Sequence, residues 1–211
     1  MGYKVWAPFE RLLSDDLNAF VSEQVPAIFA DATARDLAIP APIVGQPAYL
    51  TGLRVLTRWN GSTWKSEAIA GGCGATLAGA GTQSIPNNAT TLITLATVVE
   101  DSHGFALGSS ALTVPAGLGG LYQVYGALFW AAQSTVVGFR DCQVRVGAVT
   151  VARGIQSQGT NSIAAIQSVS AVARLAAADV VTLQGGHTHG AAINSANDTY
   201  APRLSIARLG D

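Results

Sequence analysis

Charge is what this chain has least of. Acidic and basic residues make up 12% of its 211 residues, about half the usual share, and they almost cancel, 13 against 12. Without a basic stripe to displace counterions from a phosphate backbone, nucleic acid is excluded as a partner. Without a polybasic cluster, an anionic membrane surface is excluded too. Cysteine is equally sparse: Cys73 and Cys142 are the only two, too few for a disulfide framework or a Cys-based zinc site, and they read as unpaired thiols. Long hydrophobic runs are missing as well. Mean hydropathy is high, +0.32, but no apolar stretch approaches the roughly 18 residues that a membrane span takes, so no membrane insertion is expected. The opening MGYKVWAPFE lacks the apolar core of a secretory signal, and Trp6 stands where a myristoylation signal wants Ser or Thr. Synthesis in a cytoplasm follows as the expectation.

Catalytic signatures are absent too. There is no GxSxG, HExxH or phosphate loop. Only six acidic residues lie beyond residue 84. Glu100 and Asp101 are adjacent and would point to opposite faces of a strand, poor geometry for a carboxylate pair. Asp141 sits beside Arg140, and Asp179 fits a turn. No catalytic residue and no cofactor is assigned.

What the chain does have is a strand that is apolar front and back. After Thr113-Val114-Pro115 and a Gly-rich turn comes the run from Leu121 to Trp130. Its odd positions, Leu121, Gln123, Tyr125, Ala127 and Phe129, fall on one face; Tyr122, Val124, Gly126, Leu128 and Trp130 fall on the other. Antiparallel sheets commonly bury one face and wet the other. A second apolar face therefore calls for a partner, and another copy of the chain is the simplest one. An apolar chain with no membrane segment suits a permanent oligomer, in which subunit contacts remove extra surface from water.

Upstream, Ser14 is a good N-cap with Asp15 and Asp16 at the positive end of the helix dipole. Leu17, Phe20 and Val21 then recur at helical spacing until Pro26. So short a helix needs something to dock on, so these residues are assigned to attachment. Residues 27–43 read as a connector, because ATARD (32–36) and the Pro-rich 39–47 resist helix and central strand. A β-hairpin is expected over about 48–65, turning at Asn60-Gly61. Trp59 and Trp64 flank that turn, as the small core of the module or else as a carbohydrate platform. Residues 67–84, rich in Gly and Ala, read as a linker or as backbone packed tightly around a symmetry axis. Beyond them, strands are expected over 91–99, 104–107, 111–114, 121–133, 140–146, 149–155, 163–175, 179–184 and 204–209. Many short strands with Gly-rich turns point to a β-sandwich or barrel.

In this second region, Phe105, Thr113-Val114-Pro115, Gly120-Leu121-Tyr122-Gln123-Val124-Tyr125, the stretch from Leu175 to Leu183 and the closing Leu204-Ser205-Ile206-Ala207-Arg208-Leu209 occur in the order and spacing of a known family. Residues 85–211 resemble the trimeric jelly roll of C1q and tumour necrosis factor. Where that family usually has Gly-Asp, this chain has Ala178-Asp179. The resemblance implies a mainly β protein with a C-terminal antiparallel jelly-roll sandwich, a homotrimer, and an axis approached by Gln123, Tyr125 and Ala127, with Leu121 and Phe129 on the same face. Residues 1–66 (Ser14-Asp15-Asp16-Leu17-Asn18, Ala34-Arg35-Asp36 with Ile39-Pro40, Trp59-Asn60-Gly61-Ser62) are similar to the N-terminal module of minor tail proteins and fibres of actinobacterial phages. That resemblance implies a virion location, docking on other virion proteins through residues 1–66, and an outward jelly roll that meets a host-surface glycan or protein. A head decoration or head-fibre protein without a receptor is the alternative, and a polysaccharide-active enzyme a third reading.

One polar loop holds the remaining candidates. His187 and His189, two apart, would share a face of an extended segment and could both reach a metal ion, or could simply be solvated. With Asn194, Asn197, Asp198 and Tyr200 they form the candidate receptor loop, on the reasoning that binding residues concentrate in loops carried by a rigid scaffold.

Overall fold

The computed structural model describes residues 25–69, 72–108, 110–133, 138–157, 164–195 and 201–210. The attachment residues Leu17, Phe20 and Val21, and the loop residues Asn197, Asp198 and Tyr200, lie outside them. The chain divides into two compact units, with the boundary after Ala70.

The first unit is a four-stranded sheet in the order β1 (Ala27–Phe29), β2 (Pro47–Leu50), β3 (Val55–Trp59) and β4 (Trp64–Ile69). Strands β1 and β2 are parallel and the other pairs antiparallel. Between β1 and β2 lies helix α1, Ala32–Ala38, in residues read from sequence as a connector. The reason is local. Asp31 caps the helix, its carboxylate accepting from the Ala34 amide at 2.8 Å, and so supplies one of the bonds that the first turn lacks. The β3–β4 turn is held by Asn60, whose side-chain oxygen accepts from the Ser62 and Thr63 amides. Trp59 and Trp64 meet edge to face at 5.7 Å. The buried Arg35 lays its guanidinium 4.4 Å from the Trp64 ring centre, a cation–π contact, while Thr57 donates to the Ala48 carbonyl beneath it. This is the small core of the module.

The second unit is a sandwich of two antiparallel sheets. The larger contains β5 (Gly74–Ala78), β6 (Gln83–Ile85), β8 (Thr97–Asp101), β10 (Gly120–Trp130), β13 (Ala165–Leu175), β15 (Ile193–Ser195) and β16 (Arg203–Gly210). Its central order is β8-β5-β16-β10-β13. The smaller runs β12 (Val149–Ser157), β11 (Phe139–Val146), β14 (Val180–His187), β7 (Thr90–Leu92), with β9 (Ala111–Thr113) also on β14. Strands that neighbour in space are mostly remote in sequence, as in a jelly roll. The layers bury Phe105, Tyr122, Leu128, Trp130, Val144, Leu183, Leu204 and Ile206 between them. Phe105 and Tyr122 stack edge to face at 6.2 Å, and the Tyr122 hydroxyl donates to the Leu118 carbonyl. A large apolar side chain buried in this way contributes about 1.5–3 kcal/mol.

Three expectations are corrected here. Residues 67–84 are not simply a linker, since β5 and the start of β6 lie within them and β5 sits between β16 and β8. Small residues were needed for contact, not for freedom: a Cβ on Gly74 would fall 2.3 Å from the Ile206 carbonyl oxygen, closer than any side chain permits. The strand expected over 91–99 is two strands, one in each sheet, with Ile93 and Leu95 buried at the crossing. Residues 104–107 are a loop and not a strand. The Asp101 carboxylate gathers the amides of His103, Gly104, Phe105 and Ala106, so an acidic residue takes the bonds a ladder would have used.

Candidate functional site: the outer face of the larger sheet

Strand β10 is long because its inward positions are uninterrupted. Tyr122, Val124, Leu128 and Trp130 are fully buried. The alternate side chains reach the outer face of the larger sheet, where Leu121, Ala127 and Phe129 are half-buried and Gln123 and Tyr125 exposed. Register extends this face sideways. Tyr125 lies between Ser170 on β13 and Ser205 on β16, followed by Thr76 on β5 and Glu100 on β8. The next row is Val172, Gln123, Ala207 and Gly74. Phe129 pairs with Ile166, which is half exposed. Tyr125 therefore has small, uncharged side chains directly beside it, with Ile166 and Val172 on the flanking strand. Beside it, Gly74, Thr76, Glu100, Ser102, Ser205 and Ala207 line a hollow of about 240 Å³. The charges of this face, Arg174 opposite Leu121, Arg203 opposite Ala127 and Glu100 at the end of the row, stand around one aromatic anchor, and an apolar centre with a polar rim suits contact with another protein surface. All five residues placed on this face from sequence, Leu121, Gln123, Tyr125, Ala127 and Phe129, do share it.

The candidate loop is only partly a loop. His187 is not in it: the residue ends β14, points between the sheets and is 2% exposed. Its Nε2 lies 2.8 Å from the Ile85 carbonyl and its Nδ1 accepts from the His189 amide. The ring packs edge to face on Trp130. Both nitrogens are committed, so His187 is available neither to a metal ion shared with His189 nor to a receptor. Among the described residues no three His, Cys, Asp or Glu side chains converge as metal ligands. His189 follows in the turn, half-buried, and Asn194 is exposed on β15.

Chemistry at the other titratable groups is bound up in structure. Burial pushes the Cys142 thiol up to about 12 and the Cys73 thiol up to about 11, so neither is a nucleophile near neutral pH. Asp141 does not pair with its neighbour Arg140. They face opposite ways across β11, and Asp141 bonds Arg153 from β12 instead, Nη2 to Oδ2 at 2.7 Å. Sequence adjacency concealed this partner; the pairing of β11 with β12 brings it within reach, and antiparallel register is the signal that would have found it. Burial holds the Arg140 guanidinium below the ordinary arginine range.

Solved structures similar to this chain are jelly-roll proteins. They include the globular domain of zebrafish complement 1qA protein, with a TM-score of 0.45 and 11% identity over 65% of this chain and 97% of that one. Murine APRIL at pH 5.0 gives 0.49 and 15% over 65% and 99%. The PRD1 vertex protein P5 gives 0.47 and 19% over 64% and 95%. The likeness is one of shape. No family model and no curated protein matches the sequence.

Proposed function

We propose that this chain is a homotrimeric structural protein of a bacteriophage virion, a tail fibre or minor tail protein whose jelly roll is displayed for adhesion to the host surface. The outer face of β10 carries this reading. Tyr125, 38% exposed in the single subunit, has the small neutral Ser170 and Ser205 directly across from it on either side, with the charged Arg203 and Arg174 standing further off. Covering that face with two further copies would remove Leu121, Tyr125, Ala127 and Phe129 from water, each large side chain adding about 1.5–3 kcal/mol per subunit. Residues 1–66 then serve to dock on other virion proteins, as their sequence likeness to phage tail modules implies. The role is structural and adhesive rather than catalytic, and it assigns no cofactor. The test is the mass in solution: a species three times 21.6 kDa is expected, and a folded 21.6 kDa monomer at micromolar concentration would overturn the reading. Adsorption of the purified trimer to host cells tests the adhesive half separately.

A further inference from the structure

The outer face of the smaller sheet has a missing side chain. Directly across from Asp141 on β11 lies Gly186 on β14, and beyond it Thr90 on β7. The strand alternation aims position 186 outward, where a glycine leaves the backbone bare. The result is a hollow of about 170 Å³ walled by Asp141, Arg153, Phe139, Thr188, Asn88 and Thr90.

Its polar groups are held and incompletely used. Asp141 is 2% exposed yet lines the hollow. Its Oδ2 accepts from Gln143 at 2.6 Å and from Arg153 Nη2 at 2.7 Å, whereas Oδ1 has, among the described residues, only the shared Arg153 Nε at 3.1 Å. A carboxylate offers about four lone-pair sites, so Oδ1 retains room for another donor. The same ion pair fixes the Arg153 guanidinium, half exposed, and leaves Nη1 uncommitted among the described residues. The Thr188 hydroxyl accepts from the Phe139 amide and keeps its own proton to give. A spare acceptor beside a spare donor, both locked in place, matches vicinal hydroxyls, each of which donates and accepts. The half-buried Phe139 ring supplies an apolar wall for C–H groups. Since Asp141 and Arg153 neutralise each other, the hollow favours no net charge.

We infer that this hollow binds one neutral pyranose unit of a cell-surface saccharide. Asp141 and Arg153 take neighbouring hydroxyls, Asn88 and Thr188 lie at the rim, and the ring face rests against Phe139. The inference rests on the adhesive reading above for its setting. It adds a site on the sheet that faces away from the self-association surface, so both can be occupied at once.

Saturation-transfer NMR on the full chain tests it. The probes are the methyl pyranosides of glucose, galactose, mannose, rhamnose and N-acetylglucosamine. Transfer to at least one probe is expected. Gly186→Ala fills the hollow with a Cβ placed 3.3 Å from the Ala89 carbonyl oxygen, a contact that a small shift accommodates, and leaves the ion pair alone. Arg153→Lys keeps the charge opposite Asp141 but loses the fork. Each should weaken the response about tenfold, Gly186→Ala by crowding the ring out and Arg153→Lys by the loss of roughly one well-made hydrogen bond, with circular dichroism and oligomeric mass unchanged. If Gly186→Ala lowers the thermal midpoint, Arg153→Lys alone decides. Absence of transfer to every probe, or transfer undiminished in the folded variants, overturns the inference. Cell adsorption separates this from the wider reading: wild type and Gly186→Ala adsorbing equally would remove the pocket and leave adhesion standing. Sugar binding without adsorption would do the reverse.

Discussion

On the larger sheet the outward row through Tyr125 reads Ser170, Tyr125, Ser205, Thr76, Glu100. On the smaller sheet the row through Asp141 reads Ile155, Asp141, Gly186, Thr90. The same two-residue alternation produces both, yet they solve opposite problems. The second face pairs its charges internally, with Asp141 answered by Arg153 and Gln143, Gln143 in turn by Thr150, and Gln184 by Arg145. The first has a hydroxyl contact between Thr76 and Ser205 and an aromatic ring between two serines, with its one charge, Glu100, at the far end of the row. A face whose charges pair within the subunit can stand in water and keep a spare acceptor and donor for a small ligand, whereas one with an unclothed aromatic is finished only by another surface.

Substitutions can break that contrast. The largest effect should come from Tyr125→Asp, which places a charge at the centre of the self-association face. Sedimentation should show the assembly falling to single subunits of 21.6 kDa with the fold retained, because position 125 touches no core residue's side of the strand. Asp141→Ala should act the other way round. It strands Gln143 and Arg153 and should lower folding stability by about 2–3 kcal/mol, the loss of charge-assisted hydrogen bonds, while the oligomeric mass at low temperature stays the same. If both variants dissociated the protein equally, the division of labour between the faces would be wrong.

Two smaller effects calibrate what lies between the faces. Burial works to raise the Asp101 carboxyl, but the four backbone amides it accepts from outweigh it and hold it below the ordinary carboxylate range. A depressed folded-state pKa contributes stability that is fully present above about pH 4 and is lost as pH falls through the folded value. Asp101→Asn should therefore cost about 1.5–3 kcal/mol at pH 7 and flatten the acid limb of a denaturation series. The smallest change is favourable. Ala178 adopts φ 70°, a left-handed conformation that costs an L-residue about 1–2 kcal/mol. Ala178→Gly should raise the midpoint by the equivalent of about 0.5–1 kcal/mol after the added chain entropy. Both effects should leave the mass untouched, unlike Tyr125→Asp.

How far these features were legible differs by residue. The two-sided character of β10 was readable because side-chain alternation is fixed by the backbone and needs no tertiary knowledge. The turn before β14 was marked too: where the C1q-like pattern has Gly-Asp this chain has Ala178-Asp179, and the alanine now stands where a glycine would be relaxed. The strand in 74–78 was hidden because Gly and Ala signal close approach and looseness with the same letters, and only the Ile206 carbonyl decides between them. His187 misled because it belongs to a strand end whose polar neighbours in sequence are not its neighbours in space. The hollow at Gly186 depends on which residue faces which across β11 and β14, a matter of register that no single segment contains.

Strand β5 opens the second unit, yet it is no edge: β16 flanks it on one side and β8 on the other. In antiparallel pairs the hydrogen bonds lie across the strands. A tug at residue 72 along the strand therefore strains both ladders in shear together, where an outermost strand would peel bond by bond. A pull carried into the second unit through that point meets this joint resistance, and force spectroscopy gripping residue 72 should record a higher rupture force than gripping residue 101 on β8.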